Sequence, residues 1–225
     1  SGLDSDGLRS CYADSTVWDA FDTDKFTLCS PDPQAFRPPE ETLNVLQVRL
    51  PTNFKAARFV NDADTKMLRR LQADIEAARF TLDDGSEIEI PVKLKVHDSV
   101  FVPMAKWAML IAGNYRCVGK DEMRPIQDAV HSDINASKTI YEWVVDLCIA
   151  LGSDPADLVP FEKYANAAKS LGSPSSAARA LAGGAKNIER VDKLVQSIAA
   201  QKGQSLESLN EIVGLVDHWL TKNRG

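Results

Sequence analysis

The sequence predicts an α+β protein, in which a small N-terminal α/β layer is followed by an all-helical domain. Two observations support this prediction. Residues that alternate between apolar and polar occur only within the first hundred positions, whereas apolar residues at helical spacing dominate from Pro103 onward. We therefore expect a small α/β region over residues 1–98 and a helical domain over residues 99–225.

Composition and charge favour a globular protein. Of the 225 residues 44% are hydrophobic, which is enough for a sizeable core, and the net charge of −6 is spread without long single-sign blocks. The longest apolar stretch, around Ala108 to Ala112, is far shorter than the ~18 residues of a membrane span, and the first residues lack the pattern of a signal peptide. We expect a cytoplasmic protein that binds neither nucleic acid nor membrane.

The cysteines and histidines do not indicate a metal site. The four cysteines have no CxxC spacing, and the three histidines are equally scattered. Cys117 and Cys148 lie among apolar neighbours at helical spacing, where a cysteine packs as a small hydrophobe in a reducing compartment. The sequence therefore predicts no bound metal and again favours the cytoplasm.

In the N-terminal region, alternation over residues 43–50 predicts a strand, which a helix follows. Asn61, Asp62 and Asp64 supply capping and first-turn oxygens for that helix. Its predicted apolar stripe consists of Met67, Leu68, Leu71, Ile75 and Ala78.

A second alternating run, over residues 87–96, predicts the clearest strand. The turn Asp83-Asp84-Gly85 predicts a hairpin back to Phe80, and Pro91 indicates an edge position.

The helical domain begins with a segment around residues 105–112 that is apolar nearly all round and must be buried. A long helix follows from Ile126 to Leu151 and ends at Gly152. Four further helices are predicted at about 156–171, 174–184, 189–201 and 206–220. The predicted core includes Trp107, Leu110, Ile111, Val130, Trp143, Leu147, Val195, Val213 and Val216.

Familiar catalytic and phosphate-binding motifs are missing from the sequence. It contains no GxGxxG, no GxxxxGK[ST], no GxSxG and no HExxH. The glycine pair Gly183-Gly184 lies between helices and not after a strand. Neither a dinucleotide cradle nor a hydrolase site is indicated.

The most unusual polar residue is Lys106, at the start of the buried helix, with Asn114 eight positions later and close to the same face. Both could face one cleft. Alternatively, Lys106 extends to water and Asn114 caps the helix near Gly113. Ser175, Ser176 and Glu189 also suit helix starts, where their side chains need no catalytic role.

The order of these residues resembles the C-terminal domain of ketopantoate reductases, in which a helical lysine is followed by asparagines, then a serine pair and a glutamate. Lys106 matches the lysine, Asn114 the second asparagine, Ser175 and Ser176 the serine pair, and Glu189 the glutamate. The resemblance is strongest from Pro103 onward. Three positions depart from the family pattern: Leu110 replaces the first asparagine, Trp107 follows the lysine, and Ala177 replaces a methionine.

The resemblance implies a helical domain of the 6-phosphogluconate dehydrogenase C-terminal-like fold, preceded by the end of a nucleotide-binding domain. It implies NADPH-dependent reduction of a 2-oxo acid by a homodimer, with the nucleotide-binding loop outside this chain. Lys106 would donate the proton and Glu189 would keep it protonated, while Asn114, Ser175 and Ser176 would bind the substrate.

Two alternatives stay open. The helical domain could be a non-catalytic dimerisation or binding module derived from this family, which Leu110 and the missing glycine loop favour. It could also belong to a related dehydrogenase that acts on a different keto or hydroxy acid.

Overall fold

The computed structural model describes residues 2–30, 35–36, 47–48 and 52–225, and it separates into two compact units. The first unit comprises Ser1–Ala20 and Ala105–Gly225, and the second comprises Phe21–Met104. The mixed α+β class is confirmed. The division between the units differs from the predicted one. The boundary follows Met104 instead of residue 98, and the first twenty residues belong to the helical unit.

The α/β unit is built around a three-stranded sheet. Its strands are β1 (Cys29–Ser30), β4 (Thr52–Ala57) and β7 (Val92–His97), in the order β1-β4-β7. A separate antiparallel pair is formed by β2 (Ala35–Phe36) and β3 (Gln47–Val48). The central β4 pairs in parallel with β7, and α1 (Asp62–Ala77) connects them, so β4, α1 and β7 form a β-α-β unit.

The strand before α1 is β4, which the sequence pattern did not reveal. Its buried residues, Ala56 and Ala57, are adjacent and do not alternate with polar residues. Of the strand predicted over residues 43–50, only Gln47–Val48 is a described strand, and the other positions lie outside the described residues.

The predicted hairpin is confirmed, because β5 (Arg79–Thr81) pairs antiparallel with β6 (Glu87–Glu89). Gly85 adopts a φ of +84° in the turn, a conformation that favours glycine. However, the run over residues 87–96 is not one strand. It breaks at Ile90–Pro91, because proline has no N–H for a ladder, and β6 and β7 therefore belong to different sheets.

Helix α1 begins as predicted, but fewer of its apolar side chains are buried than predicted. The Asn61 side chain accepts a hydrogen bond from the Ala63 N–H at 2.7 Å, which caps the helix. The predicted apolar stripe is wrong at Met67 and Leu71, which are 67% and 49% exposed. Helix α1 packs along β7, where the Gln72 side chain accepts a bond from the Val96 N–H, and this narrow contact leaves the outer residues in solvent.

The helical unit contains no strand after Ala105, in agreement with the prediction. The chain there forms α3 (Lys106–Met109), a π-helical turn (Leu110–Asn114), a 3-10 turn (Tyr115–Cys117), α4 (Ile126–His131), α5 (Ile134–Ala150), α6 (Phe161–Ala168), α7 (Ser176–Ala182), α8 (Val191–Gln201) and α9 (Glu207–Arg224). A short helix α2 (Phe101–Met104) closes the α/β unit.

The predicted long helix over residues 126–151 is two helices, α4 and α5. Asp133 separates them, because its carboxylate accepts the Ala136 N–H at 2.9 Å as the N-cap of α5. The predicted end of the helix is confirmed, since Gly152 follows it with a φ of +111°.

The core of the helical unit matches the prediction closely. Six of the predicted residues are buried, while the three others are partly buried and pack against the core. The six are Ile111, Val130, Leu147, Val195, Val213 and Val216, and the three are Trp107, Leu110 and Trp143. Leu3 and Leu8 of the N-terminal segment also pack against this core.

Candidate functional site

The segment that carries Lys106 and Asn114 changes helix type twice. It starts as α3, widens into the π turn, and ends as the 3-10 turn. A Cβ at Gly113 would overlap the Tyr164 hydroxyl, which donates a hydrogen bond to the Met109 carbonyl at 3.2 Å. The π turn therefore lies directly against Tyr164, and such turns occur frequently at functional sites.

The π turn also changes the faces that Lys106 and Asn114 share. The expected shared face is only approximate in a regular α-helix, in which eight residues rotate about 80° beyond two full turns. A π turn has i→i+5 hydrogen bonds and a smaller rotation per residue, which brings Asn114 back toward the face of Lys106. The two residues are separated by at most about 12 Å along the helix axis.

Ser175 contacts Asn114 through the backbone. The Ser175 hydroxyl donates to the Asn114 carbonyl at 2.7 Å and accepts the Ala178 N–H at 3.2 Å, which caps α7. Ser175 is 2% exposed. Because its hydroxyl has both roles filled, Ser175 anchors the start of α7 beside Asn114, while the neighbouring Ser176 is exposed.

Glu189 is held near the same point, also through its backbone. The Tyr115 hydroxyl donates to the Glu189 carbonyl at 2.5 Å and accepts the Val191 N–H at 3.1 Å. Burial raises the pKa of Tyr115 far above its usual value, so the phenol stays neutral and keeps both bonds. The Glu189 side chain is exposed, and it forms no ion pair with any residue that the structure describes.

These contacts join the neighbourhood of Asn114 to Ser175 and to the Glu189 backbone. Lys106, which is half-buried, lies at the opposite end of the segment. The structure therefore has no direct ion pair between Lys106 and Glu189, and their approach to within one water stays a prediction, as do the roles of Asn114, Ser175 and Ser176 in binding.

Sequence reasoning missed a buried ionic network next to Glu189. Arg190 makes a bidentate contact with Asp192, at 2.9 and 3.0 Å, and a third contact with Asp217 at 2.6 Å. The Asp192 side chain has no exposed surface, and burial raises its pKa while the contact with Arg190 opposes that rise. The sequence shows only Arg-Val-Asp at the start of a helix, and an acidic residue is common at that position, so the ionic network could not be predicted from it.

A second missed residue is Arg116, two positions after Asn114. Its guanidinium donates to the Ser137 hydroxyl and, at 3.4 Å, to the Ala112 carbonyl. Burial and the nearby Arg124 lower the pKa of Arg116. Arg116 thus fixes the π turn to the start of α5, and no spacing rule would have found this contact.

Comparisons with protein-family models, with curated proteins and with solved structures find no match for this chain. Within the described ranges, no group of three or more histidine, cysteine or acidic side chains could hold a metal ion. The described helices also include none that is long and apolar enough to cross a membrane.

The β4–α1 connection does not suit a dinucleotide. Phosphate-binding β-α turns use glycines that let the pyrophosphate reach the helix N-terminus. Here the connection reads Arg58-Phe59-Val60-Asn61, and Asp62 and Asp64 place two carboxylates in the first turn of α1. We therefore assign no described residue to NADPH.

Proposed function

We propose that the helical unit binds a 2-oxo acid, as the substrate-binding part of a reductase similar to ketopantoate reductases. The supporting observation is the cluster of contacts around Asn114: Ser175 bonds to its carbonyl, and the adjacent Tyr115 bonds to Glu189 and Val191. These bonds connect Asn114 and Tyr115 to residues about 61 and 75 positions farther along the chain, in the order that the resemblance requires.

Three side chains on the residues of this cluster, or next to it, have polar groups available for a ligand. The Asn114 amide, the Ser176 hydroxyl and the Glu189 carboxylate form no hydrogen bond with a described residue. An amide and a hydroxyl can donate to the carboxylate and carbonyl oxygens of a 2-oxo acid. Ser175 contributes by fixing the first turn of α7, so its role is positioning.

Lys106 is the proton donor in this proposal. Reduction of a ketone adds a hydride to the carbonyl carbon and a proton to the oxygen, and an ammonium group can supply the proton. Glu189 would favour the charged form of Lys106 if the two side chains approach on closure around the substrate. The helical unit would belong to the 6-phosphogluconate dehydrogenase C-terminal-like fold and act as a cytoplasmic homodimer.

A second candidate function is a binding or dimerisation module without catalysis. The exposed side chain of Glu189 and the replacement of an asparagine by Leu110 favour it. A module of this kind would keep the Tyr115 and Ser175 contacts, because they stabilise helix ends, and would have no use for Lys106.

Titration of the chain with ketopantoate, followed by amide chemical shifts, tests the proposal. We expect saturable shifts at residues 106–117 and 175–177, and weaker binding by Asn114→Ala. The matched control is Asn166→Ala, an exposed asparagine on α6, which should bind like the wild type. No saturable shift in these ranges would refute substrate binding and leave the module as the better function.

A separate measurement tests the catalytic role. In any assembly of this chain that reduces a 2-oxo acid, Lys106→Ala should lower kcat by roughly 10²–10⁴ without changing the free energy of unfolding. Unchanged turnover would remove Lys106 from the mechanism even if the substrate binds at Asn114.

A further inference from the structure

A polar cleft of about 160 Å³ lies in the helical unit and is lined in part by Arg190. The N-terminal segment forms one wall, through Ser10, Cys11 and Tyr12. Helices α8 and α9 contribute Lys193, Asp217 and Arg224, and the loop before α8 contributes Arg190.

The charges at this cleft differ in sign from the chain as a whole. Three cationic side chains, Arg190, Lys193 and Arg224, stand against two carboxylates, Asp192 and Asp217. The local excess is one positive charge, whereas the chain carries −6. Arg190 contacts both carboxylates, and these three side chains together carry one negative charge, so Lys193 and Arg224 bring the cleft to a net charge of +1.

The donors of the two outer cations are only partly used. Arg224 donates through Nε to the Lys186 carbonyl at 2.9 Å and through Nη2 to Asn187 at 3.0 Å, which fixes its guanidinium and leaves further N–H groups. The ammonium of the half-buried Lys193 forms no hydrogen bond or ion pair with a described residue.

We propose that this cleft binds a small oxyanion, the carboxylate or phosphate group of a metabolite, between Lys193 and Arg224. A planar guanidinium with unused N–H groups and a nearby ammonium are the groups that recognise such oxygens. Tyr12 and Ser10 on the facing wall carry hydroxyl groups, which can act as neutral donors. Arg190, held by Asp192 and Asp217, supports the wall and is not itself a ligand.

This site is independent of the proposed 2-oxo acid site. It uses neither Lys106 nor Asn114, and its ligand would cover residues 190–193 and 224 instead of residues 106–117. The Val191–Tyr115 hydrogen bond links the two parts of the chain, so the variants separate the proposals: Asn114→Ala should weaken only 2-oxo acid binding, and Lys193→Gln only oxyanion binding.

The test is titration of the whole chain at low ionic strength with two probes, inorganic phosphate and acetate, followed by amide shifts at residues 10–13, 190–193 and 224. We expect saturable binding of at least one probe, which added sodium chloride weakens. Lys193→Gln should weaken it roughly fivefold or more, and Lys193→Arg should retain it. The matched control is Lys163→Gln, the same charge change at an exposed lysine on α6.

The outcomes separate the possible ligands. Tighter binding of phosphate identifies a phosphate-bearing metabolite, and equal or tighter binding of acetate identifies a carboxylate. If neither probe saturates, or if Lys193→Gln and Lys163→Gln bind alike, the oxyanion site is refuted.

Discussion

Gly113 offers a sharp test of the packing at the π turn. It is buried next to Asn114, and a Cβ there would overlap the Tyr164 hydroxyl and approach Tyr164 Cζ at 3.1 Å and Val130 Cγ2 at 3.2 Å. Tyr164 cannot move away easily, because the residue is 7% exposed and its ring stacks on Tyr141 with centroids 5.4 Å apart. The substitution Gly113→Ala must therefore displace either the ring or the turn.

Two effects of opposite sign set the expected magnitude. Alanine is favoured over glycine in a helix by ~1 kcal/mol, whereas overpacking a core costs about 1–3 kcal/mol and sometimes more. Because the overlap involves a rigid ring, we expect the cost to dominate and Gly113→Ala to lower the free energy of unfolding by ~2 kcal/mol. Gly214 on α9 is the matched control: no atom lies within 4 Å of its added Cβ, so Gly214→Ala should stabilise by up to ~1 kcal/mol.

Urea denaturation of the two variants, read by circular dichroism at constant m-value, measures both changes. A double variant, Gly113→Ala with Tyr164→Phe, removes the overlapping oxygen and should recover part of the loss, a positive coupling in a double-mutant cycle. If Gly113→Ala is as stable as the wild type, or if the cycle shows no coupling, the contact between the π turn and Tyr164 is not as described.

Three further predictions concern charge, pH and cofactor. Arg190→Met would leave the buried Asp192 without its cationic partner and should lower the free energy of unfolding, measured by urea denaturation, by about 3–5 kcal/mol. Asp217→Asn changes a half-exposed partner of Arg190 and should lower it by at most about 1 kcal/mol. Burial raises the pKa of Cys148 to about 11, above its unfolded value of 9.0, so the folded chain keeps a proton that the unfolded chain releases. Stability should then fall as the pH rises from 9 to 10, by at most ~1.4 kcal/mol from this thiol, and Cys148→Ala should reduce the slope; an unchanged slope would contradict the assignment. Finally, NADPH fluorescence titration of the chain should show no micromolar binding, because no glycine turn receives the pyrophosphate, and micromolar binding would reveal a site that we have missed.

The parts of the fold that the sequence predicted are those set by local signals. The cap at Asn61, the hairpin turn at Gly85 and the end of α5 at Gly152 each depend on one or two residues, and all three are confirmed. The helical core also follows from periodicity, since residues at helical spacing on helices such as α8 and α9 must face a common interior.

The parts that the sequence did not predict depend on contacts between distant residues. Strand β4 is defined by its pairing with β7, and its own residues show no alternation. The exposure of Met67 reflects the small sheet that α1 covers, which a helical stripe cannot reveal. The π turn at Leu110–Asn114 arises where Tyr164, fifty positions later, packs against Gly113.

The residues of the candidate site could be chosen from the sequence because they lie at helix ends, and for the same reason their contacts do not by themselves indicate a binding site. Tyr115 and Ser175 satisfy helix ends, and any buried junction of helices needs such bonds, so these contacts alone fit both a binding site and a structural junction. The distinction lies in polar groups that have no hydrogen-bond partner among the described residues, namely the Asn114 amide and the Ser176 hydroxyl, on residues that adjoin these bonds. A structural junction does not require unused groups there, whereas a ligand site needs donors held on a rigid frame before the ligand arrives. This difference makes ketopantoate binding at Asn114, and not the stability of the junction, the measurement that decides between the two functions.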